Sequence, residues 1–117
     1  MMLALPEGTG TDASMADFAT IDPLGSHIVL HDHTWHLHII RRGSHPELAP
    51  HRSDVEAALA SPECVLESDQ DPRCRLYFGP VAGRPGLRVK VVADYVRGFV
   101  KTAHFAKNVK GGAQAWP

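Results

Sequence analysis

Four strand-length apolar runs in the second half of the chain constrain its fold more than any other feature. Cys64-Val65-Leu66, Cys74 to Gly79, Leu87 to Ala93 and Phe99 to Phe105 have the length and composition of strands. Turns rich in Asp, Pro and Gly separate them, residues that favour tight turns over pleated backbone. Helical segments precede these runs. Helices first and strands afterwards argue for an α+β fold in which N-terminal helices pack on an antiparallel sheet of about four strands.

The first helical segment is expected from about 34 to 42, with Asp32 or Thr34 as its cap and Gly43-Ser44 as its end. That spacing places Trp35 and Ile39 on one stripe, and His38, Arg41 and Arg42 on another. Ser53 and Glu56 have the spacing of a capping box for a second helix, which Ser61-Pro62 stops. Ile28-Val29-Leu30 reads as a short first strand. Residues 1–25, with Pro6, Gly8, Gly10, Pro23 and Gly25, show no sustained period and read as a flexible acidic tail or linker. The folded domain is then 26–117.

A chain of 117 residues builds one modest core. It has no apolar run near the roughly 18 residues a membrane span requires, and Met1 to Leu5 is too short for a signal peptide. A cytoplasmic protein without a membrane partner is the expectation. Cys64 and Cys74 are too few for a disulfide framework or a cysteine-built zinc site and read as buried thiols. The net charge of -1 conceals a sorting of charge along the chain. Residues 1–72 carry three basic and twelve acidic residues, whereas residues 73–117 carry nine basic residues against Asp94 alone. A face built from the second half would attract polyanions, unless the halves neutralise one another across the fold.

Alternation along the strands sets Leu76 and Phe78 against Arg75 and Tyr77, and Leu87, Val89 and Val91 against Arg88 and Lys90. A turn at Tyr95 to Gly98 pairing Val92 with Val100 places Lys90 opposite Thr102 and Arg88 opposite His104. Arg75, Tyr77, Arg88, Lys90, Thr102 and His104 then form one polar patch.

Cleaving RNA without a metal requires a base for the 2′-hydroxyl proton, an acid for the departing 5′-oxygen, and donors for the phosphate. His38 or His104 can supply the acid–base chemistry, and Thr102 can donate to the phosphate. Arg75, Arg88 and Lys90 can hold it, and Tyr77 can stack on a base or donate to it. The run His31, His33, His36, His38 invites a zinc reading, but residues two apart on a helix diverge by about 200°, and only Asp32 offers a further ligand. No metal or other cofactor is expected. His45-Pro46-Glu47 fits a structural turn as well as a site.

The order of these motifs resembles the phage-associated barnase–EndoU–colicin–RelE-like nuclease domains over roughly His27 to Trp116. The likeness lies in Trp35…His38-Ile39, Arg42…His45-Pro46-Glu47, Ser61-Pro62-Glu63, Tyr77-Phe78, Val89 to Val92 and Val100-x-Thr102-Ala103-x-Phe105. It implies a barnase/RelE-like fold and a toxin-like or prophage-associated endoribonuclease that yields a 2′,3′-cyclic phosphate. His38 would be catalytic with Arg42 and His45 near it, Thr102 would lie in the site, and Arg75 and Lys90 would bind phosphate. RNA is then the substrate, and an antitoxin or immunity protein a further partner. The alternative is a non-catalytic RNA- or partner-binding module on the same scaffold.

Overall fold

A computed structural model of the chain describes residues 16–43 and 45–117. Its strands are β1 (Phe18–Ile21), β2 (His27–Leu30), β3 (Cys64–Glu67), β4 (Cys74–Pro80), β5 (Arg88–Asp94), β6 (Phe99–Ala106) and β7 (Gln114–Trp116). Between β2 and β3 lie a π-helical segment, Thr34–Arg41, a 3-10 segment, Pro46–His51, and helix α1, Arg52–Ala60. The seven strands form one mixed sheet in the order β1-β2-β6-β5-β4-β3-β7.

This architecture overturns the expected α+β, barnase/RelE-like arrangement of helices on an antiparallel sheet of about four strands. The sheet is larger and curls into a half-barrel. Neighbours pair antiparallel except β2 and β6, which run parallel through Val29 and Phe99. The Val29 N–H donates to the Gly98 carbonyl there at 2.9 Å. In a flat sheet β1 and β4 would lie four strand spacings, roughly 19 Å, apart. Instead the Tyr77 hydroxyl of β4 donates to Asp22 in the β1–β2 turn at 2.5 Å, a contact that only a curled sheet permits. Within the segment expected to be a linker, residues 1–15 lie outside the described residues, while Phe18–Ile21 pairs with β2.

The main core occupies the concave face. Val55, Ala58 and Leu59 of α1 join Val65, Tyr77, Val89, Val91, Ala93 and Ala103 from the strands, with Trp35, Ile39 and Leu48 from the segments before α1. Burying a large apolar side chain of this kind contributes about 1.5–3 kcal/mol. Gly79 lets α1 approach, because a Cβ there would stand 2.9 Å from Ala58 Cβ. A smaller cluster of Leu66, Leu76 and Phe78 covers the other face, with Cys64, Val92 and Ala106 at its margin.

The helical segments also differ from expectation. The first is wound with five-residue hydrogen bonds, the Arg42 N–H donating to the Leu37 carbonyl at 2.7 Å, although Trp35 and Ile39 are its buried residues as expected. No side chain caps it, because Asp32 instead accepts from Arg52 at 2.9 Å. Ser44, part of its expected end, lies outside the described residues. The capping box does not form either, since the 3-10 segment runs directly into α1 and leaves Ser53 inside the helix.

Candidate functional site

The pairing of β4, β5 and β6 decides which predicted residues meet. Phe78 lies opposite Lys90, which lies opposite His104, and Leu76 lies opposite Val92, which lies opposite Thr102. Arg88 lies opposite Ala106. The β5–β6 register is therefore two residues from the expected one, with Lys101 left unpaired in a bulge between the Val92 and Ala93 pairs. A two-residue slip keeps every side chain on its face. Arg88, Lys90, Thr102 and His104 share the outer face as expected.

Arg75 and Tyr77 do not join them. Tyr77 pairs with Val91, so both point into the concave side. Tyr77 is fully buried there, and burial, reinforced by its hydrogen bond to Asp22, pushes its phenol well above the ordinary tyrosine value. Arg75 is held by Asp22 Oδ2 at 3.3 Å and Ser26 Oγ at 3.0 Å, with its guanidinium 3.7 Å above the centre of the Tyr95 ring. Both residues work in a buried network that closes the half-barrel. The single patch expected from alternation is thus divided between two faces.

The His104 ring, which starts from an outer-face position of β6, stands 5.7 Å from that of His45, centre to centre. The β6 strand places His104, and the 3-10 segment begins just after His45, whose N–H donates to the Ile39 carbonyl at 3.3 Å. His104 Nδ1 donates to the Phe105 carbonyl at 3.0 Å, and His45 Nδ1 donates to Glu47 Oε2 at 3.4 Å. With Nδ1 protonated in each ring, a neutral ring presents Nε2 as its lone-pair acceptor. Among the described residues neither Nε2 has a protein partner, and two such imidazoles can serve as a proton acceptor and a proton donor to one small group.

The remaining predicted residues are placed less centrally. His38 is exposed on the π-helical segment, its ring edge-on to His33 at 5.4 Å, and Arg42 is exposed at the end of that segment. Arg88 reaches Glu63 at 3.0 Å and the Lys107 carbonyl at 3.2 Å. Three other histidines pair separately: His31 with Asp17, His36 with Asp32, and His51 with Asp54. Among the described residues, no three His, Cys, Asp or Glu side chains gather in a metal-binding cluster.

Charge sorting is partly resolved by pairing across the fold. Arg75 meets Asp22, Arg88 meets Glu63, and Arg73 and Lys101 both meet Asp71. The Arg73 N–H, donating to Asp71 at 2.9 Å, leads the effects that hold that carboxyl below its ordinary value. Lys90, Lys107 and Lys110 have no carboxylate partner among the described residues. Lys90 and Lys110 border an open cleft of about 540 Å³ on the outer face, which no sequence pattern announces because the fold brings its loops together over the sheet. Among the described residues, no helix is long and apolar enough to cross a membrane. Comparison with known protein families, curated proteins and solved structures finds no match to this chain.

Proposed function

We propose that this chain is a metal-independent endoribonuclease of toxin-like character that cleaves RNA on the outer face of its sheet, with His45 and His104 as its acid–base pair. The observation that carries this reading is the 5.7 Å separation of the two rings. Each nitrogen must come within about 2.6–3.2 Å of its own oxygen, and the 2′- and 5′-oxygens flank one phosphorus. Rings several ångströms apart match that demand.

His104 Nε2 takes the 2′-hydroxyl proton as the 2′-oxygen attacks phosphorus. The bond from phosphorus to the 5′-oxygen breaks, and His45 Nε2–H delivers its proton to that oxygen, leaving a 2′,3′-cyclic phosphate. Glu47 is the counter-charge to a protonated His45. Thr102, two residues from His104 on the same face, is the donor for phosphate charge beside the pair. RNA is the partner this reading implies, and an inhibitor protein covering this face is a further one.

One observation favours the second reading, a module that binds RNA or another partner without cutting it. The Lys90 ammonium leans over the Phe78 ring, 5.9 Å from its centre, on the side of Lys90 away from His104. The two readings separate in one assay. RNA incubated with the protein in EDTA should be cut to cyclic-phosphate ends, with His45→Ala and His104→Ala each slowing cleavage about 10²–10⁴-fold. Intact RNA with salt-sensitive binding would select the second reading. Loss of activity in His38→Ala with His45→Ala unaffected would refute the assigned pair.

A further inference from the structure

The outer-face cleft has walls built by two loops and a floor built by the sheet. Leu76 and Val92, neighbours across β4 and β5, supply the apolar floor. Ser68–Gln70 and Lys110–Gly111 line the cleft beside that floor. The Asp69 N–H donates to the Gly111 carbonyl at 2.8 Å, and the Glu67 N–H to the Ala113 carbonyl at 2.8 Å, so the walls are tied to each other. Ser68 Oγ is occupied within its own loop, accepting from the Gln70 and Asp71 N–H groups at 3.1 and 3.3 Å. Gly111, with φ at 122°, adopts a conformation that side chains rarely take. A Cβ there would lie 2.7 Å from Leu76 Cδ1 and 3.5 Å from Lys90 Nζ, which places the Lys90 ammonium at this wall.

We infer that this cleft is a nucleotide subsite, holding a phosphate on Lys90 and Lys110 and the attached base over Leu76 and Val92. Residues of both charges line the cleft. Two ammonium groups without carboxylate partners among the described residues mark the anionic end of the ligand. Asp69, whose carboxylate accepts from Gln70 Nε2 at 3.3 Å, also lines the cleft, and a carboxylate suits the N–H groups of a base. An apolar floor beside charged side chains matches a flat ring better than a bare anion, and the volume suits a small organic ligand.

The inference rests on the nuclease reading and adds to it where the strand lies. Val92 is opposite Thr102 and Lys90 is opposite His104, so the subsite adjoins the imidazole pair across two strands. It holds a nucleotide of the strand being cut, and Lys90, paired with His104 through the backbone but with its ammonium turned toward Phe78 and Gly111, belongs to the subsite.

The test uses the full chain labelled with ¹⁵N and titrated at low salt with adenosine 5′-monophosphate, ribose 5-phosphate, adenosine and inorganic phosphate. Saturable shifts of the Gln70, Val92 and Gly111 amides are expected with the nucleotide. The other three probes should bind about tenfold more weakly or worse, as should the nucleotide to Lys110→Glu, since a hydrogen bond to a charged group is worth a tenfold change or more. Absent shifts, equal response to inorganic phosphate, or an unaffected Lys110→Glu would overturn the inference. The nuclease reading is scored separately by RNA cleavage in EDTA. Cleavage without nucleotide binding removes the subsite alone, and binding without cleavage retains the nucleotide site while the nuclease reading falls.

Discussion

Replacing Tyr77 with phenylalanine tests the buried network that closes the half-barrel, and it does so through pH as well as stability. The Tyr77 hydroxyl donates to Asp22 Oδ2 at 2.5 Å, and the Asp22 side chain is fully buried. A hydrogen bond to a charged group contributes about 1.5–3 kcal/mol, so Tyr77→Phe should lose about 2 kcal/mol at pH 7. Burial and the neighbouring carboxylate hold the phenol protonated in the folded chain, well above the ordinary value of 10.0. In the unfolded chain the phenol ionises near pH 10. A group whose folded value is raised contributes stability that is present below the unfolded value and lost as pH rises past it. The wild type should therefore lose about 1.4 kcal/mol per unit above pH 10 from this group, and Tyr77→Phe should lose none from it. Urea unfolding of both proteins at pH 7, 9, 10, 10.5 and 11 measures the gap, which should hold to pH 10 and then narrow. A gap that stays constant through pH 11, or one that is absent at pH 7, would refute the network's protonation and its bond.

Two further outcomes follow from the same packing. Asp22→Ala leaves the Arg75 guanidinium, only 13% exposed, with Glu67 Oε2 at 3.9 Å as its remaining carboxylate and the Ser26 hydroxyl at 3.0 Å, and also leaves the Leu24 and Ser26 N–H groups without the Asp22 Oδ1 acceptor. Removing one partner of a buried pair costs about 3–5 kcal/mol, so urea denaturation should show a larger loss than for Tyr77→Phe; an equal or smaller loss would contradict it. Burial pushes the Cys64 and Cys74 thiols above their ordinary value, so a disulfide reagent at pH 8 should label native protein far more slowly than protein in urea, with equal rates counting against this environment.

Segments with a strong local signal were legible, and those defined by a distant partner were not. The runs that became β3, β4, β5 and β6 carry enough apolar and β-branched residues to be read alone, and Trp35 and Ile39 mark the buried stripe of the first helical segment. β1 is four residues beside a Gly- and Pro-containing stretch, and β7 is three. Each becomes a strand because a curled sheet supplies an edge for it, information that no local pattern contains. The parallel contact of β2 with β6 has the same origin.

The fate of the expected patch shows which inferences alternation supports. Along β5, Val89 and Val91 are buried while Arg88 and Lys90 are half-exposed, so the polar face was assigned from the residues themselves. The slip at Lys101 did not disturb it, because shifting by two preserves faces. Along β4, Leu76, Tyr77 and Phe78 are all buried, one face against α1 and the other in the smaller outer cluster. No polar face exists there to be read, and the β4–β5 register alone decides that Tyr77 belongs with Val91. Arg75 looked like a ligand for phosphate because its partner, Asp22, is 53 residues away in a turn with no strand-like pattern. Conversely, His45 meets His104 across 59 residues through a 3-10 segment that no periodicity announces. The strand positions on the outer face were therefore inferable from sequence, whereas the imidazole that meets His104 required the fold.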